Sequence, residues 1–448
     1  MSRLSKTYDV AVIGGGISGI VSALKCARLG ATAVLIEASQ TLGGVLRDVA
    51  TDERKTYYSG CQYLSSRFPW KDFFEPAKDD LHEFSHAYGS WTEAGDRALF
   101  VDGMALPTFD WDVRSQSVAA DCPAPSAADP VTLADHLERY GRWTPYLSAF
   151  AARSGHPATK IHASCAVGMQ MSAVHAYSAV AGKLLELKAS NPVFDRLFAA
   201  RRSDRGFVPE NSALPRSGYS SWIRRLEALL VAEGVEIILQ APARNVESNG
   251  SRLAVRLPTG DVLADTVVWA ANPVPLLVRA GFGKLDNPFI LCTNVHCDVS
   301  RWTGPLPYYI QVFSANNPLA RVYVYSIDGR VQACLECFGT LSAADLPSLV
   351  ATTLRVVAQS PFQLALTPKS IQKLRRHTLF TPRDLEEIQR FNAAAPAMGI
   401  VPGGWEHFGR DAKIAAISEG LLSAFVSNRK KTVHYENLGD RLQPLRAS

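Results

Sequence analysis

The sequence predicts an α/β protein: a βαβ unit opens it, and helices with antiparallel strands are inserted further along. Three observations predict this. An apolar run stops at a glycine cluster, an apolar-spaced helix leads to a second apolar run, and two later stretches lack that pattern altogether.

The first run, Tyr8-Asp9-Val10-Ala11-Val12-Ile13, has the length and branched composition of a buried strand. It meets Gly14-Gly15-Gly16-Ile17-Ser18-Gly19, and Ile20 to Leu29 then continue with helical spacing to a stop at Gly30. Ala33-Val34-Leu35-Ile36 forms the second strand and ends in Glu37, followed by Ala38. In this context each glycine has a physical task. Gly14 permits the tight turn, Gly16 lets main chain approach a diphosphate, and Gly19 lets the helix pack closely on the strand. The helix start offers unpaired N–H groups and the positive end of its dipole, and Glu37 can accept from ribose hydroxyls. The reading is therefore a Rossmann-type dinucleotide site.

Length and composition agree with this. The chain has 448 residues, 47% of them hydrophobic and 20% charged, enough for more than one core and too apolar for global disorder. Its net charge of +5 is spread thinly, and Arg429-Lys430-Lys431 is the nearest thing to a basic tract, so nucleic-acid binding is not expected. No stretch reaches the ~18 apolar residues of a spanning helix, and no leader precedes the first strand, so a cytoplasmic protein is expected. Eight cysteines are too sparse for a disulfide framework. Cys334 and Cys337 have CxxC spacing, but on a strand residues three apart point to opposite faces, and buried thiols are expected. The patterns GxxxxGK[ST] and GxSxG do not occur.

Downstream, Thr41-Leu42-Gly43-Gly44-Val45-Leu46-Arg47 follows the acidic residue. Together with the βαβ unit this resembles the flavoprotein superfamily of flavin amine oxidases, protoporphyrinogen oxidase and UDP-galactopyranose mutase. The resemblance implies FAD rather than NAD, with a glutathione-reductase-like nucleotide domain and an α+β substrate domain formed by insertions. It places Gly43 and Gly44 near the diphosphate and flavin, with Arg47 as a phosphate or flavin contact. Tyr58-Ser59-Gly60-Cys61-Gln62 looks like the superfamily's flavin loop, in which Gln62 stands where relatives carry His or a similar polar residue; Cys61 could in principle tether a flavin. The stretch Leu214 to Tyr219, a helix from Ser221 to Glu233, and Pro242-Ala243-Arg244-Asn245-Val246 look like the return to the nucleotide domain, with Ala243 beside the adenine. Strands follow at 252–257 and 265–273. Gly409-Arg410-Asp411 and the helix containing Ile414 resemble the last FAD motif.

The implied division is an FAD-binding domain of residues 1–75, 207–285 and 385–448, and a substrate domain of 76–206, read as mainly helical, and 286–384, read as mainly strands. His296 lies nearest the place where many amine oxidases carry a Lys; it is either a proton-exchanging group or a His satisfied within the sheet. Arg321 is either an anion or flavin contact or a snorkelling surface residue; Trp405, Glu406 and His407 line the roof of the site, unless Trp405 packs in the core instead of stacking on substrate. With Gln62, His296 and Arg321 form the candidate catalytic set. Gln62 in place of His, and Ala412-Lys413-Ile414-Ala415-Ala416 in place of tyrosines, tell against mutase activity, and paired aromatic residues flanking an amine cannot be placed. The expected activity is hydride transfer from a small or medium organic substrate to FAD, with oxygen or NAD(P) as the electron partner. A redox-neutral reaction on a nucleotide sugar and amine oxidation are the alternatives.

Overall fold

The computed structural model describes residues 6–50, 56–60, 63–65, 78–85, 87–92, 122, 129–169, 171, 181–197, 211–313, 317–358 and 362–429. Among them eighteen strands form two large sheets and two small ones.

The strands in chain order are β1 (Thr7–Ile13), β2 (Ala33–Ile36), β3 (Asp48–Ala50), β4 (Thr56–Tyr58), β5 (Leu64–Ser65), β6 (Leu81–Ser85), β7 (Ala87–Thr92), β8 (Asn211–Pro215) and β9 (Glu236–Ile238). They continue as β10 (Asn245–Asn249), β11 (Arg252–Leu257), β12 (Gly260–Trp269), β13 (Phe289–Trp302), β14 (Tyr308–Phe313), β15 (Leu319–Ile327), β16 (Arg330–Phe338), β17 (Leu364–Thr378) and β18 (Ile400–Pro402).

The first large sheet runs β10-β11-β12-β1-β2-β9. Strands β12, β1, β2 and β9 are parallel, and β18 joins the far half of β12, where β11 has left off. Val10 to Ile13 and Ala33 to Ile36 are buried throughout, as a central parallel strand covered on both faces requires. Three helices cover it: Ile17–Arg28, Tyr219–Ala232 and Arg410–Arg429. The second of these starts two residues earlier than the sequence spacing suggests, because Asp48 reaches across to cap it. Its carboxylate accepts from the Tyr219 N–H at 2.9 Å and the Ser220 N–H at 2.8 Å. The strand expected at 265–273 begins at Gly260, since the turn before it closes a hairpin directly onto β11.

The second large sheet runs β17-β13-β16-β15-β14-β7. Its strand β7 corrects one expectation: residues 76–206 are not helical at their start. Both β6 and β7 lie there, stabilised by partners distant in sequence, β8 for β6 and β14 for β7. Further on, helices lie at Leu133–Leu137, Thr144–Ala152, Ala181–Ser190 and Pro192–Leu197. Conversely, the strand-rich stretch 286–384 includes a helix at Leu346–Ala358, whose apolar side packs on the sheet through Leu349, Val356 and Val357. Cys334 and Cys337 belong to opposite faces of β16 and to different core clusters, and the seven cysteines among the described residues are all buried thiols. No described helix is long and apolar enough to cross a membrane.

Candidate active site

The carboxyl ends of β1, β2, β12 and β18 converge on one edge of the parallel sheet, the place where open α/β sheets bind ligands. Gly14 follows β1 with φ of 105°, a left-handed conformation that only glycine adopts freely, and its N–H donates to the Ile36 carbonyl at 2.8 Å. A Cβ on Gly19 would overlap the Gly14 carbonyl oxygen, so the helix can come this close only with glycine there. Gly16, by contrast, has open space where its Cβ would be, and it is the residue from which the helix starts. Ile17 is buried and anchors the first turn, and the Ser18 carbonyl accepts from the Ser22 hydroxyl.

Glu37 ends β2 as expected, and its carboxylate already has protein partners. It accepts from the Gly15 N–H at 2.5 Å and the Ser39 N–H at 2.7 Å, tying the glycine turn to the second strand. Ala38 beside it is exposed. Ala243 lies on the segment after β9 that runs alongside, where the Ala241 N–H donates to the Glu37 carbonyl at 2.9 Å.

The second glycine pair stacks on the first. Gly43 and Gly16 form a parallel bridge, and the Gly43 N–H donates to the Gly15 carbonyl at 2.8 Å. A Cβ on Gly44 would press on the Gly16 Cα at 3.2 Å. Arg47 closes this loop on itself through two N–H groups donated to the Gly44 carbonyl. From there the chain passes to Ser59, whose N–H donates to the Arg47 carbonyl, and Gly60 beside it is buried. Cys61 and Gln62 lie outside the described residues.

A third glycine segment, missed by the sequence reading, completes the edge. Gly403 and Gly404 follow β18, and a Cβ on Gly403 would crowd the Trp269 carbonyl and the Trp405 indole at 2.5 Å. Trp405 is buried and donates to the Ala271 carbonyl at 3.0 Å, so it packs in the core rather than presenting its ring as a roof. Gly409 opens the last helix with empty space at its Cβ position, and its carbonyl accepts from the Lys413 N–H. Here two buried polar atoms, Glu406 Oε2 and Arg410 Nη1, find no hydrogen-bond partner among the described residues. Burial lowers the pKa of Lys413 in the same turn, and the nearby Glu406 carboxylate opposes that shift. Ile414 is buried beneath them.

Facing these loops is one side of the second sheet. His296, Cys334, Tyr323 and Tyr309 stand side by side on four neighbouring strands, and Asn294, Glu336, Arg321 and Gln311 form the adjacent row. All of these side chains are buried. Arg321 is thus no surface residue: its guanidinium is paired with the buried Glu336 carboxylate. His296 lies with its ring centroid 5.6 Å from that of Tyr57, and the Tyr57 hydroxyl donates to Asp298 at 2.8 Å. The Asn294 amide donates to the Ser59 carbonyl, so the same loop touches both the glycine edge and this wall. The sequence signal for the wall was present as polar residues alternating with apolar ones, Asn294-x-His296-x-Asp298 and Gln332-x-Cys334-x-Glu336. No cluster of three or more potential metal ligands occurs among the described residues.

Comparison with known proteins bears on this geometry. Residues 9–79 match the model of the FAD dependent oxidoreductase family. No curated protein sequence is significantly similar to the chain. Among solved structures, reduced UDP-galactopyranose mutase superimposes with a TM-score of 0.66 at 16% identity, covering 93% of this chain and 96% of that one. Cyclohexylamine oxidase from Brevibacterium oxydans IH-35A gives 0.60 at 12% identity, over 94% of this chain and 100% of the other. A protein from Exiguobacterium sp. 255-15, provisionally assigned as a protoporphyrinogen oxidase, gives 0.59 at 18% identity, over 95% and 100%. At these identities the likeness is one of fold.

Proposed function

We propose that this chain, an FAD flavoprotein by its N-terminal segment and its fold, is an oxidoreductase that moves a hydride between a small or medium organic substrate and the flavin. The observation that carries the proposal is the pairing of two unlike surfaces. One is an edge of bare main chain built from three glycine segments, and the other is a buried wall bearing His296, Asn294 and the Arg321–Glu336 pair.

The residues present fit the cofactor. Gly16 leaves main-chain space beside a helix N-terminus, which suits a diphosphate, and Gly409 leaves similar space at the start of the last helix. Arg410 and Glu406 contribute a buried donor and a buried acceptor without partners among the described residues, suited to an anionic and hydroxylated ligand. Bound there, FAD supplies the two-electron chemistry, and the protein's part is orientation and charge. On the wall, the His296 ring beside Tyr57 offers a hydrogen-bond donor or acceptor to a ligand. The Arg321–Glu336 pair holds a fixed dipole between β15 and β16, and the loop of Tyr57 to Ser59 is tied down at Asp298 and Asn294, which helps keep bulk water from the space between.

Anaerobic mixing of the flavin-loaded protein with panels of alcohols, amines and other hydride donors tests the proposal. Bleaching of the flavin band by at least one class supports it. Product formed only after prior reduction with dithionite, without net consumption of reductant, would replace it with a redox-neutral reaction.

A further inference from the structure

The wall of the second sheet carries hydrogen-bonding capacity that no other described residue uses. Gln332 is 1% exposed, yet neither its amide nitrogen nor its amide oxygen has a partner among the described residues. Asn294 is fully buried and spends its N–H on the Ser59 carbonyl, leaving its oxygen unpartnered. On the neighbouring strand β17, Ser370 and Gln372 stand opposite His296 and Asn294, and the Ser370 hydroxyl and the Gln372 amide oxygen are likewise buried and unpartnered. Residues directly opposite in an antiparallel pair share a face, so these four side chains belong to one surface. Buried amides and hydroxyls without partners are costly to leave unsatisfied, so four on one face point to a ligand that satisfies them.

The charges on the same surface are already matched. Arg321 is paired with Glu336, and Asp298 has Lys369 at 3.8 Å together with the Tyr57 hydroxyl. A ligand carrying a full charge would meet on this wall only charges already paired with one another, and would lose its hydration on entering. A ligand with both donors and acceptors would meet Gln332 and Asn294 on equal terms.

We infer that the substrate taken at this wall is an uncharged molecule bearing several hydroxyl or amide groups, rather than an ammonium, a carboxylate or a phosphate ester. This rests on the reading of the chain as a flavin oxidoreductase with its substrate on this face. It separates the chain from the relative named for cyclohexylamine.

A ligand series on one skeleton tests it. The flavin-loaded protein is titrated with cyclohexane-1,2-diol, cyclohexanecarboxamide, cyclohexylammonium and cyclohexanecarboxylate, and binding is read from the flavin difference spectrum. The diol and the carboxamide should bind at least about tenfold more tightly than either ion, roughly the effect of one well-made hydrogen bond against one unpaired charge. Gln332→Leu should weaken the neutral ligands about tenfold with the flavin content unchanged. The near-isosteric Gln332→Glu should move the preference toward the ammonium. Equal or tighter binding of an ion by the native protein, or no spectral response to either neutral ligand, overturns the inference. A protein that carries no flavin would instead defeat the functional reading beneath it, so the two failures are distinct.

Discussion

Gly16 lies against Gly43 in a parallel bridge, so two glycine loops separated by a helix and a strand are stacked main chain upon main chain. The Gly43 N–H fastens the stack to Gly15, and Glu37 fastens Gly15 to the second strand. A Cβ on Gly16 would meet no described atom within 4 Å, whereas one on Gly19 would collide with the Gly14 carbonyl. The two glycines therefore differ in what they protect.

Gly16→Val should fold with the thermal stability of the native protein stripped of its flavin, and should purify colourless. Gly19→Val should lose stability, on the order of 3 kcal/mol or more, because helix and strand must separate. Thermal unfolding and visible absorbance of both variants check this. A Gly16→Val protein that keeps a full complement of flavin would contradict the placement.

Breaking the Arg321–Glu336 pair from one side should be worse than removing both partners. Both groups are at most 4% exposed, so Arg321→Met alone leaves a buried carboxylate without its counter-charge and should cost about 3–5 kcal/mol. The double variant Arg321→Met with Glu336→Leu should recover most of that loss. Denaturant unfolding of the two singles and the double closes the cycle, and simple additivity would show that the pair is not coupled.

Acid should destabilise the helical region through His136. Burial, with smaller contributions from Arg139 and Arg196, lowers its pKa from 6.5 to about 4, while its Nε2 lies 3.0 Å from the Met171 carbonyl. The folded protein thus binds fewer protons at this site than the unfolded chain does between those values. Stability is fully present above pH 6.5 and falls as the pH drops toward 4, by at most on the order of 3 kcal/mol for this group. His136→Gln, which can still donate to Met171, should flatten the dependence of melting temperature on pH between 7 and 5. Parallel curves for variant and native protein would remove His136 as a cause.

The glycine edge was legible at its start because backbone constraints write themselves into sequence. Gly14 needs its φ of 105°, Gly19 cannot carry a side chain, and a parallel strand buried on both faces must be apolar throughout. The role of Glu37 was less legible. Its position was evident, but its bond to Gly15 depends on how the turn folds back. The wall was hidden for a different reason. Gln332, Cys334 and Glu336 align with Asn294 and His296 only after β13 and β16 pair across more than thirty residues, and the CxxC spacing drew attention to the wrong side chains. The strands β6 and β7 lack the dense branched residues that mark a strand locally, and they are held by β8 and β14. Arg321 could be read as a surface residue because its partner Glu336 lies on the next strand, out of view of local pattern.

The central claim is that the stacked glycine loops hold FAD, and cofactor content measures it most directly. Native protein, purified without added flavin and then denatured by heat, should release about one FAD per chain, identified by its absorbance and mass. Protein that releases none, and that stays colourless after incubation with excess FAD, would contradict the claim.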